Sequence, residues 1–316
     1  MSTGSPIRHS LAPSKNPCGL LRRSSDTGTN GCWSSTSMVY ENGTSSVSIH
    51  IQARAIRRAR VGTSTCGQTA TATPTVRLAK SSASCKAKAW VEGMETEADT
   101  LRYVREQFGI PAPEIIYDWL DEDCRWSFLI LKPVESETLR QAWPSPSDHQ
   151  RKTAASQVAE YCEILAEATS DSLASATGHG MRDQYLSPDR PLNAPSWKPI
   201  LFPPLPLPQA KMYLCPLDAG ENFHFYHADL GPTNVMVSRD GRVTGILDWE
   251  SAAFYPRVWI GTKPRVSYGF ILEGVDGDKW AWSKLLSEAL EERKFVPYVQ
   301  GFSAFQHKTR LPMRRT

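Results

Sequence analysis

Residues 227–256 read HADLGPTNVMVSRDGRVTGILDWESAAFYP. Within this stretch, Asp240-Gly241 lies between two apolar runs, which is the strongest short-range signal of a β-hairpin. If this pair forms the turn, counting outward along both strands places Thr233–Asn234 opposite Leu247–Asp248. The stretch therefore predicts a hairpin whose open end brings an amide side chain and a carboxylate together.

The polar residues at this open end are of the types that phosphoryl transfer requires. Asn234 and Asp248 offer the hard oxygen ligands that Mg²⁺ takes alongside phosphate oxygens. Asp229 precedes Asn234 by five residues on a Gly-Pro loop and can approach the same point. We predict that Asp229 accepts the proton of an attacking hydroxyl group. His227 is interpreted as a residue that braces the loop by hydrogen bonding.

The chain has the spacing His-x-Asp-x-x-x-x-Asn, and Asp248-Trp249-Glu250 stands where protein kinases have Asp-Phe-Gly. In both features the sequence resembles the aminoglycoside phosphotransferase and choline kinase family. Residues 227–256 are similar to its fungal branch, and the resemblance extends over about residues 75–262. It implies an α+β, bilobal protein-kinase-like fold. The N-lobe would be a small sheet plus a helix, complete or truncated, and the mostly helical C-lobe would carry the catalytic β-hairpin.

The N-lobe is expected to supply the groups that hold the nucleotide phosphates. Residues 95–108 have apolar side chains at helical spacing. On a preceding strand, Lys86 and Lys88 share one face because strand side chains alternate. The resemblance implies that Glu97 on the helix pairs with the phosphate-binding lysine. Either lysine fits, and Lys88 is preferred for its distance in sequence from Glu97.

A hinge between the lobes is expected near residue 131. Residues 126–131 are apolar except for Ser127, which predicts a buried strand. By the resemblance, backbone groups around Leu131 to Val134 would meet the adenine ring. Ser136 stands where relatives usually have glycine, and no glycine-rich loop is recognisable upstream of Lys86. We therefore expect an altered nucleotide lid.

Three segments are predicted along the chain. Residues 1–80 are basic and rich in Ser and Thr, which predicts disorder or weakly held strands. Residues 81–135 would be the nucleotide-binding N-lobe and residues 136–316 the C-lobe. Gly62–Thr69 lacks the lysine of a phosphate-binding loop and is interpreted as a chance match. Residues 170–220 hold eight prolines from Pro188 to Pro208, and they are predicted to be an irregular or polyproline segment.

Composition limits the classes of partner and compartment. The formal net charge is only +3, so neither a nucleic-acid nor a membrane partner is predicted. No run of about 18 apolar residues is present. Seven scattered cysteines without a CxxC pair predict reduced thiols and a cytoplasmic location. The acid-poor start of the chain is also compatible with an organelle transit peptide. No obligate protein partner is evident.

The sequence thus predicts a phosphotransferase that uses ATP and Mg²⁺ and moves the γ-phosphate to a hydroxyl of an unidentified small molecule. Its partners would be the nucleotide and that hydroxyl substrate. The alternative is a catalytically impaired, kinase-like binding protein, because the N-lobe pattern is degenerate. A nucleic-acid binder is disfavoured since the basic N-terminal residues lack interleaved aromatic side chains. The family name does not identify the acceptor, since a fold does not determine its substrate.

Overall fold

The computed structural model describes residues 36–42, 45–51, 75–77, 83–187 and 199–310. The first two ranges form an antiparallel strand pair, β1 (Thr36–Asn42) and β2 (Ser45–Ile51). This pair belongs to one compact unit of the chain, and the elements from β3 onward belong to a second. The phosphate-loop-like stretch Gly62–Thr69 and most of the remaining N-terminal segment lie outside the described residues.

The second unit begins with a four-stranded antiparallel sheet. Its strands are β3 (Thr75–Arg77), β4 (Ser84–Ala89), β5 (Ile115–Asp121) and β6 (Trp126–Leu131). Their order in the sheet is β3-β4-β6-β5. Lys86 lies opposite Leu129 and Lys88 opposite Ser127, so the two lysines share one face of β4. The predicted alternation is confirmed.

Helix α1 (Glu97–Gln107) follows β4 and packs beside this sheet through the fully buried side chains of Leu101 and Val104. Thr96 caps its first turn, because the Thr96 hydroxyl accepts a hydrogen bond from the Asp99 N–H at 3.2 Å. The predicted helix over residues 95–108 is confirmed within two residues. We call the four-stranded sheet and α1 the N-lobe, and the elements from residue 137 onward the C-lobe.

The C-lobe contains most of the helices and several very short strands. Its helices are α2 (Leu139–Ala142), α3 (Asp148–Ala166), α4 (Leu207–Leu214), α5 (Arg257–Val266), α6 (Ala281–Glu292) and α7 (Val299–Arg310). Its strands are β7 (Glu137–Thr138), β8 (Thr169–Ser170), β9 (Ser172–Leu173), β10 (Leu205–Pro206), β11 (Phe223–Tyr226), β12 (Val235–Val237), β13 (Val243–Ile246) and β14 (Ala253–Pro256). The strands pair in the orders β13-β12-β7, β14-β11-β8 and β10-β9.

One hydrophobic cluster extends through both lobes. It contains Leu101 of α1, Leu129 of β6, Val158 of α3 and Trp282 of α6, all buried. Burial on this scale is the main favourable contribution to folding. The predicted α+β, bilobal protein-kinase-like fold is confirmed. No helix among the described residues combines the length and the apolar character that crossing a bilayer requires.

The prediction for residues 170–220 was wrong in part. The proline-dense run at its end forms β10 and the first turn of α4, and α4 begins with Leu207-Pro208. Proline is tolerated there because the first turn of a helix leaves its N–H groups without helical partners. Residues 188–198 lie outside the described residues.

Helix α5 makes a close backbone contact at Gly261. A Cβ atom at this position would lie 2.1 Å from the Phe295 carbonyl oxygen, so any side chain forces the two segments apart. We expect Gly261→Ala to lower the free energy of unfolding by about 1–3 kcal/mol, as measured by urea denaturation. Gly109→Ala is the control, because nothing lies within 4 Å of a Cβ built there. Equal effects of the two substitutions would contradict this account of the packing.

Candidate functional site

The hairpin formed by β12 and β13 carries the predicted site at its open end. Val235 lies opposite Ile246, as counted from the sequence. One residue further out, the Leu247 N–H donates to the Asn234 carbonyl at 2.7 Å. The predicted register at the open end is therefore confirmed.

The turn of the hairpin differs from the prediction. It contains three residues, 239–241, because the Ser238 N–H donates to the Arg242 carbonyl at 2.9 Å. Gly241 has a φ of +83°, as in a three-residue hairpin loop that ends in a left-handed glycine. The longer loop shifts the strand pairing by one residue, and a β-bulge at Thr244 shifts it back. The two irregularities cancel before the open end.

The loop between β11 and β12 brings Asp229 to Asn234. The Asn234 Nδ2 group donates to the Asp229 carboxylate at 3.0 Å and to the Asp229 carbonyl at 2.9 Å. Burial raises the pKa of Asp229 to about 6, and Lys263 opposes the rise while Asp248 and Glu250 add to it. Asp229 is therefore ionised at neutral pH, but it is a stronger base than an ordinary aspartate.

His227 joins this loop to the end of β13. Its Nδ1 accepts a hydrogen bond from the Asp229 N–H at 3.1 Å, and its Nε2 lies 3.0 Å from the Leu247 carbonyl oxygen. A carbonyl oxygen only accepts, so the ring proton is on Nε2. Burial lowers the pKa of His227 to about 4, so the ring is neutral at pH 7. These contacts agree with the interpretation of His227 as a bracing residue.

Residues of both lobes meet in one partly buried ion cluster, in which Lys88 and Glu97 are the buried members. Lys86 Nζ lies 2.7 Å from Glu97 and 3.2 Å from Asp248. Lys88 Nζ lies 2.9 Å from Glu97, 2.8 Å from Asp248 and 2.8 Å from Glu250. An ammonium group has three N–H donors, so the donors of Lys88 match its three carboxylate partners. The predicted pairing partner of the lysines, Glu97, thus contacts both of them.

The charges of this cluster stabilise one another against the cost of burial. Burial disfavours the charged form of Lys88, but Glu97, Glu250 and Asp248 outweigh it and raise the pKa of Lys88. Burial likewise disfavours the carboxylate of Asp248. Lys88 and Lys86 outweigh that effect and hold the pKa of Asp248 well below its usual range. The same balance lowers the pKa of Glu97, so these groups are all ionised at neutral pH.

Asp248 is held in an uncommon backbone conformation. Its φ of 62° and ψ of 66° lie in the left-handed region, which is costly for a residue with a side chain. The next residue, Trp249, is fully buried, and its indole N–H donates to the Ile246 carbonyl at 2.8 Å. The Trp249 backbone N–H donates to Glu97 at 3.2 Å. Trp249 therefore fixes the turn that directs Asp248 toward the lysines.

The residues predicted to meet adenine lie at the connection between the lobes. Leu131 is buried at the end of β6. The Val134 side chain lies over β13, because a Cβ at Gly245 would be 3.0 Å from Val134 Cγ1. A separate cavity of about 180 Å³ borders Lys86 and Glu97, and neither Leu131 nor Val134 lines it. The adenine contacts thus stay a prediction.

The donor set can be tested against Mg²⁺. No three His, Cys, Asp or Glu side chains cluster as a metal site within the described part of the chain. Asn234 directs its amide nitrogen to Asp229, and its amide oxygen lies 3.4 Å from the Thr233 hydroxyl. That oxygen and the Asp248 carboxylate are hard ligands. They fit an Mg²⁺ ion whose other ligands are phosphate oxygens and water.

Two residues of the site were missed by sequence analysis. Glu250 belongs to the quoted Asp-Trp-Glu motif, but nothing in that motif indicated its contact with Lys88. Arg182 Nη1 donates to Glu250 Oε2 at 3.0 Å. Arg182 lies in the segment whose sequence showed no periodicity. Only the path of the folded chain brings it to the cluster.

Comparison with known families identified the family of this chain. The sequence model of the phosphotransferase enzyme family matches residues 76–259, which is more than half of the chain. This range includes every predicted site residue, from Lys86 to Asp248. A comparison with curated protein sequences gave no match.

Several solved structures are similar to the chain. The type VIII aminoglycoside-3'-phosphotransferase is 16% identical, with a TM-score of 0.43, over 72% of this chain and 83% of that one. Aminoglycoside phosphotransferase APH(4)-Ia is also 16% identical with a TM-score of 0.43, over 87% of this chain and 81% of that one. The GDP and kanamycin complex of APH(2")-IIia is 15% identical with a TM-score of 0.40, over 80% and 88%. The family assignment rests on the sequence match.

The raised pKa of Asp229 predicts that Asp229→Asn stabilises the protein at pH 8 when nucleotide and metal are absent. The folded-state pKa of about 6 exceeds the ordinary 3.8. The ionised Asp229 carboxylate therefore lowers the free energy of unfolding by its full amount above pH 6. This loss of stability largely disappears as the pH falls toward 4 and the carboxylate is protonated. We expect a gain of about 3 kcal/mol at pH 8 and about 0.5 kcal/mol at pH 4, measured by urea unfolding in EDTA. Asp240→Asn, at the exposed hairpin turn, is the control. A gain independent of pH would refute the assignment.

Proposed function

The chain belongs to the phosphotransferase enzyme family, and from this premise we propose that it transfers the γ-phosphoryl group of ATP to a hydroxyl group of a small molecule. One observation carries the proposal. The Asp229–Asn234 pair and Asp248 lie at the same end of the hairpin, and Asp248 contacts Lys86 and Lys88 of the N-lobe. Carboxylates, an amide and lysines in this arrangement are the parts that phosphoryl transfer uses.

Lys86, Lys88 and Glu97 are proposed to hold the α- and β-phosphates. Without nucleotide, both lysines are paired with carboxylates. Phosphate oxygens would take some of these N–H groups, while Glu97 keeps the lysines directed to the site. Among the residues that the structure describes, Lys86 has two carboxylate partners for three N–H donors, so it offers a spare donor there that Lys88 does not. The backbone from Leu131 to Val134 is proposed to meet the adenine ring.

Asn234 and Asp248 are proposed to hold Mg²⁺ that enters with the nucleotide. When bound, the ion neutralises charge on the phosphate oxygens and fixes their orientation. Asp248 would then exchange its lysine contacts for the metal, which leaves more lysine N–H groups for the phosphates.

Asp229 is proposed to act as the general base. The acceptor hydroxyl oxygen forms a bond to the γ-phosphorus, the bond from that phosphorus to the β-phosphate oxygen breaks, and the hydroxyl proton passes to the Asp229 carboxylate. A pKa near 6 suits this role, because the group is ionised at pH 7 and still holds a proton better than an ordinary aspartate. The hydrogen bond from Asn234 orients the carboxylate. Positioning and charge neutralisation supply most of the rate in such reactions.

The acceptor is proposed only as a small alcohol. The structure of APH(2")-IIia contains GDP and kanamycin. The first acceptor panel would therefore include aminoglycosides beside choline and simple sugars, with GTP tested beside ATP. A cytoplasmic location remains a prediction.

Binding of ATP is expected to depend on Mg²⁺ and on Asp248. Titration calorimetry of the wild-type protein with ATP should give binding that weakens when Mg²⁺ is omitted. Asp248→Asn removes a metal ligand, and we expect a loss of about tenfold or more, equivalent to about 1.4 kcal/mol. Asp240→Asn, a matched change in the exposed turn of the same hairpin, should bind as wild type. Absence of binding in a folded wild-type protein would favour a kinase-like protein without nucleotide chemistry.

The proposed base is tested by turnover. Asp229→Ala should lower the rate of phosphate transfer by about 10²–10⁴-fold, because general base catalysis contributes on this scale. Its affinity for Mg-ATP should stay near that of wild type. The rate is measured with the best acceptor of the panel, or as slow ATP hydrolysis if none is found. Asp218→Ala, an exposed aspartate in another loop, is the control. Unchanged turnover of Asp229→Ala would contradict the assignment of Asp229 as the general base.

A further inference from the structure

Residues 174–183 form a segment that contacts both lobes, and we call it the strap. At its start, the Phe254 N–H of β14 donates to the Ala174 carbonyl at 2.8 Å. Further along, the Gly180 N–H donates to the Gly93 carbonyl of the N-lobe at 2.8 Å. The strap thus connects the lobes on a path separate from the hinge at residues 131–134.

The strap is fixed against the beginning of α1. One Glu95 carboxylate oxygen accepts hydrogen bonds from the Thr177 N–H at 2.8 Å and from the Thr177 hydroxyl at 2.7 Å. The other oxygen accepts from the Thr100 hydroxyl at 2.7 Å. Because Glu97 lies two residues beyond Glu95, the same contacts position the strap relative to the ion cluster.

The end of the strap is anchored by a buried ion pair. Asp183 Oδ2 lies 2.6 Å from Lys263 Nζ and accepts from the Trp259 indole N–H at 3.1 Å. Asp183 Oδ1 accepts from the Tyr185 and Leu186 N–H groups at 2.8 and 3.2 Å. The backbone on both sides of Arg182 is therefore held in place.

The Arg182 side chain extends from this fixed backbone to the ion cluster. Its Nη1 lies 3.0 Å from Glu250 Oε2, and the same oxygen lies 2.8 Å from Lys88 Nζ. Across residues 83–187 and 199–308, Glu250 is the one hydrogen-bond partner of this guanidinium. A guanidinium has five N–H donors, and 26% of the side chain is exposed. Arg182 therefore retains donors and an open side for a ligand.

Arg182 is the third cation of the ion cluster, and it makes the charge of the cluster neutral. Glu97, Asp248 and Glu250 carry three negative charges, and Lys86 and Lys88 carry two positive ones. Without Arg182 the cluster would be net negative, which opposes binding of a nucleotide anion. Glu250 also lies near enough to Asp229 to raise its pKa.

We propose that Arg182 binds the terminal phosphate of the nucleotide and that Glu250 holds its guanidinium in position until the nucleotide enters. The inference rests on the proposed function and adds a phosphate-binding residue to it. The planar guanidinium suits the task, because its parallel N–H groups match two phosphate oxygens.

A purely structural ion pair between Arg182 and Glu250 is the competing explanation, and it predicts a different pattern. If the pair only holds the strap, loss of either partner weakens ATP and ADP binding alike. If Arg182 binds the terminal phosphate, its loss affects ATP more than ADP. Loss of the Glu250 charge then leaves ATP binding intact or improves it, since Glu250 competes with phosphate for Arg182 and Lys88.

The test is titration calorimetry of Mg-ATP and Mg-ADP with wild type, Arg182→Gln, Arg182→Lys and Glu250→Gln. We expect Arg182→Gln to weaken Mg-ATP binding by about tenfold and Mg-ADP binding by less than about threefold. Arg182→Lys should lie between wild type and Arg182→Gln, since lysine keeps the charge but not the planar fork. Glu250→Gln should bind Mg-ATP at least as tightly as wild type.

Arg102→Gln is the matched control, because Arg102 is a half-exposed arginine paired with Asp99 and Asp118 outside the cluster. Thermal unfolding of each variant verifies that it is folded. Equal losses for Mg-ATP and Mg-ADP, or a loss of Mg-ATP affinity in Glu250→Gln as large as in Arg182→Gln, would overturn the inference. If the wild-type protein binds neither nucleotide, both the proposed function and the inference about Arg182 fail. If wild type binds Mg-ATP and Arg182→Gln binds it equally well, the inference alone fails.

Discussion

The ammonium group of Lys88 lies within 2.9 Å of three carboxylates, and the geometry of the site depends on this contact. Glu97 comes from the N-lobe, whereas Asp248 and Glu250 follow the hairpin of the C-lobe. A buried charge is tolerated only when it is paired, so removing one member leaves the others uncompensated. The cluster thus holds both lobes together at the point where the phosphates are proposed to bind, and it opposes any arrangement that separates them.

The same distribution of charge gives two nearby aspartates different properties. Asp248 contacts both lysines, and its pKa is held well below the usual range. Asp229 contacts Asn234 instead, and burial raises its pKa to about 6. Environments that push the pKa values of paired acids apart often mark different chemical roles. A permanently ionised Asp248 suits a metal ligand, and the more basic Asp229 suits a proton acceptor.

The hairpin shows how far local sequence patterns extend. The Asp-Gly signal located the turn, and strand periodicity located the open end, although the loop has three residues and the bulge at Thr244 corrects the register. The prediction held at the open end because two irregularities cancel, which no local rule indicates. Strand alternation placed Lys86 and Lys88 on one face of their strand. Their pairing with Glu97 was implied by the family resemblance, and the structure shows the contacts.

The sequence by itself determined the hairpin, α1, the basic strand and the residue types at the site, because each depends on periodicity or turn chemistry over a few residues. It left open which lysine binds phosphate, and it missed Glu250 and Arg182. Only the tertiary structure placed Glu250 and Arg182 at the site. Arg182 reaches the cluster because hydrogen bonds to Gly93 and Glu95 and the buried Asp183–Lys263 pair hold the strap there. Such contacts join residues tens of positions apart, and their energies depend on burial, which no local pattern encodes.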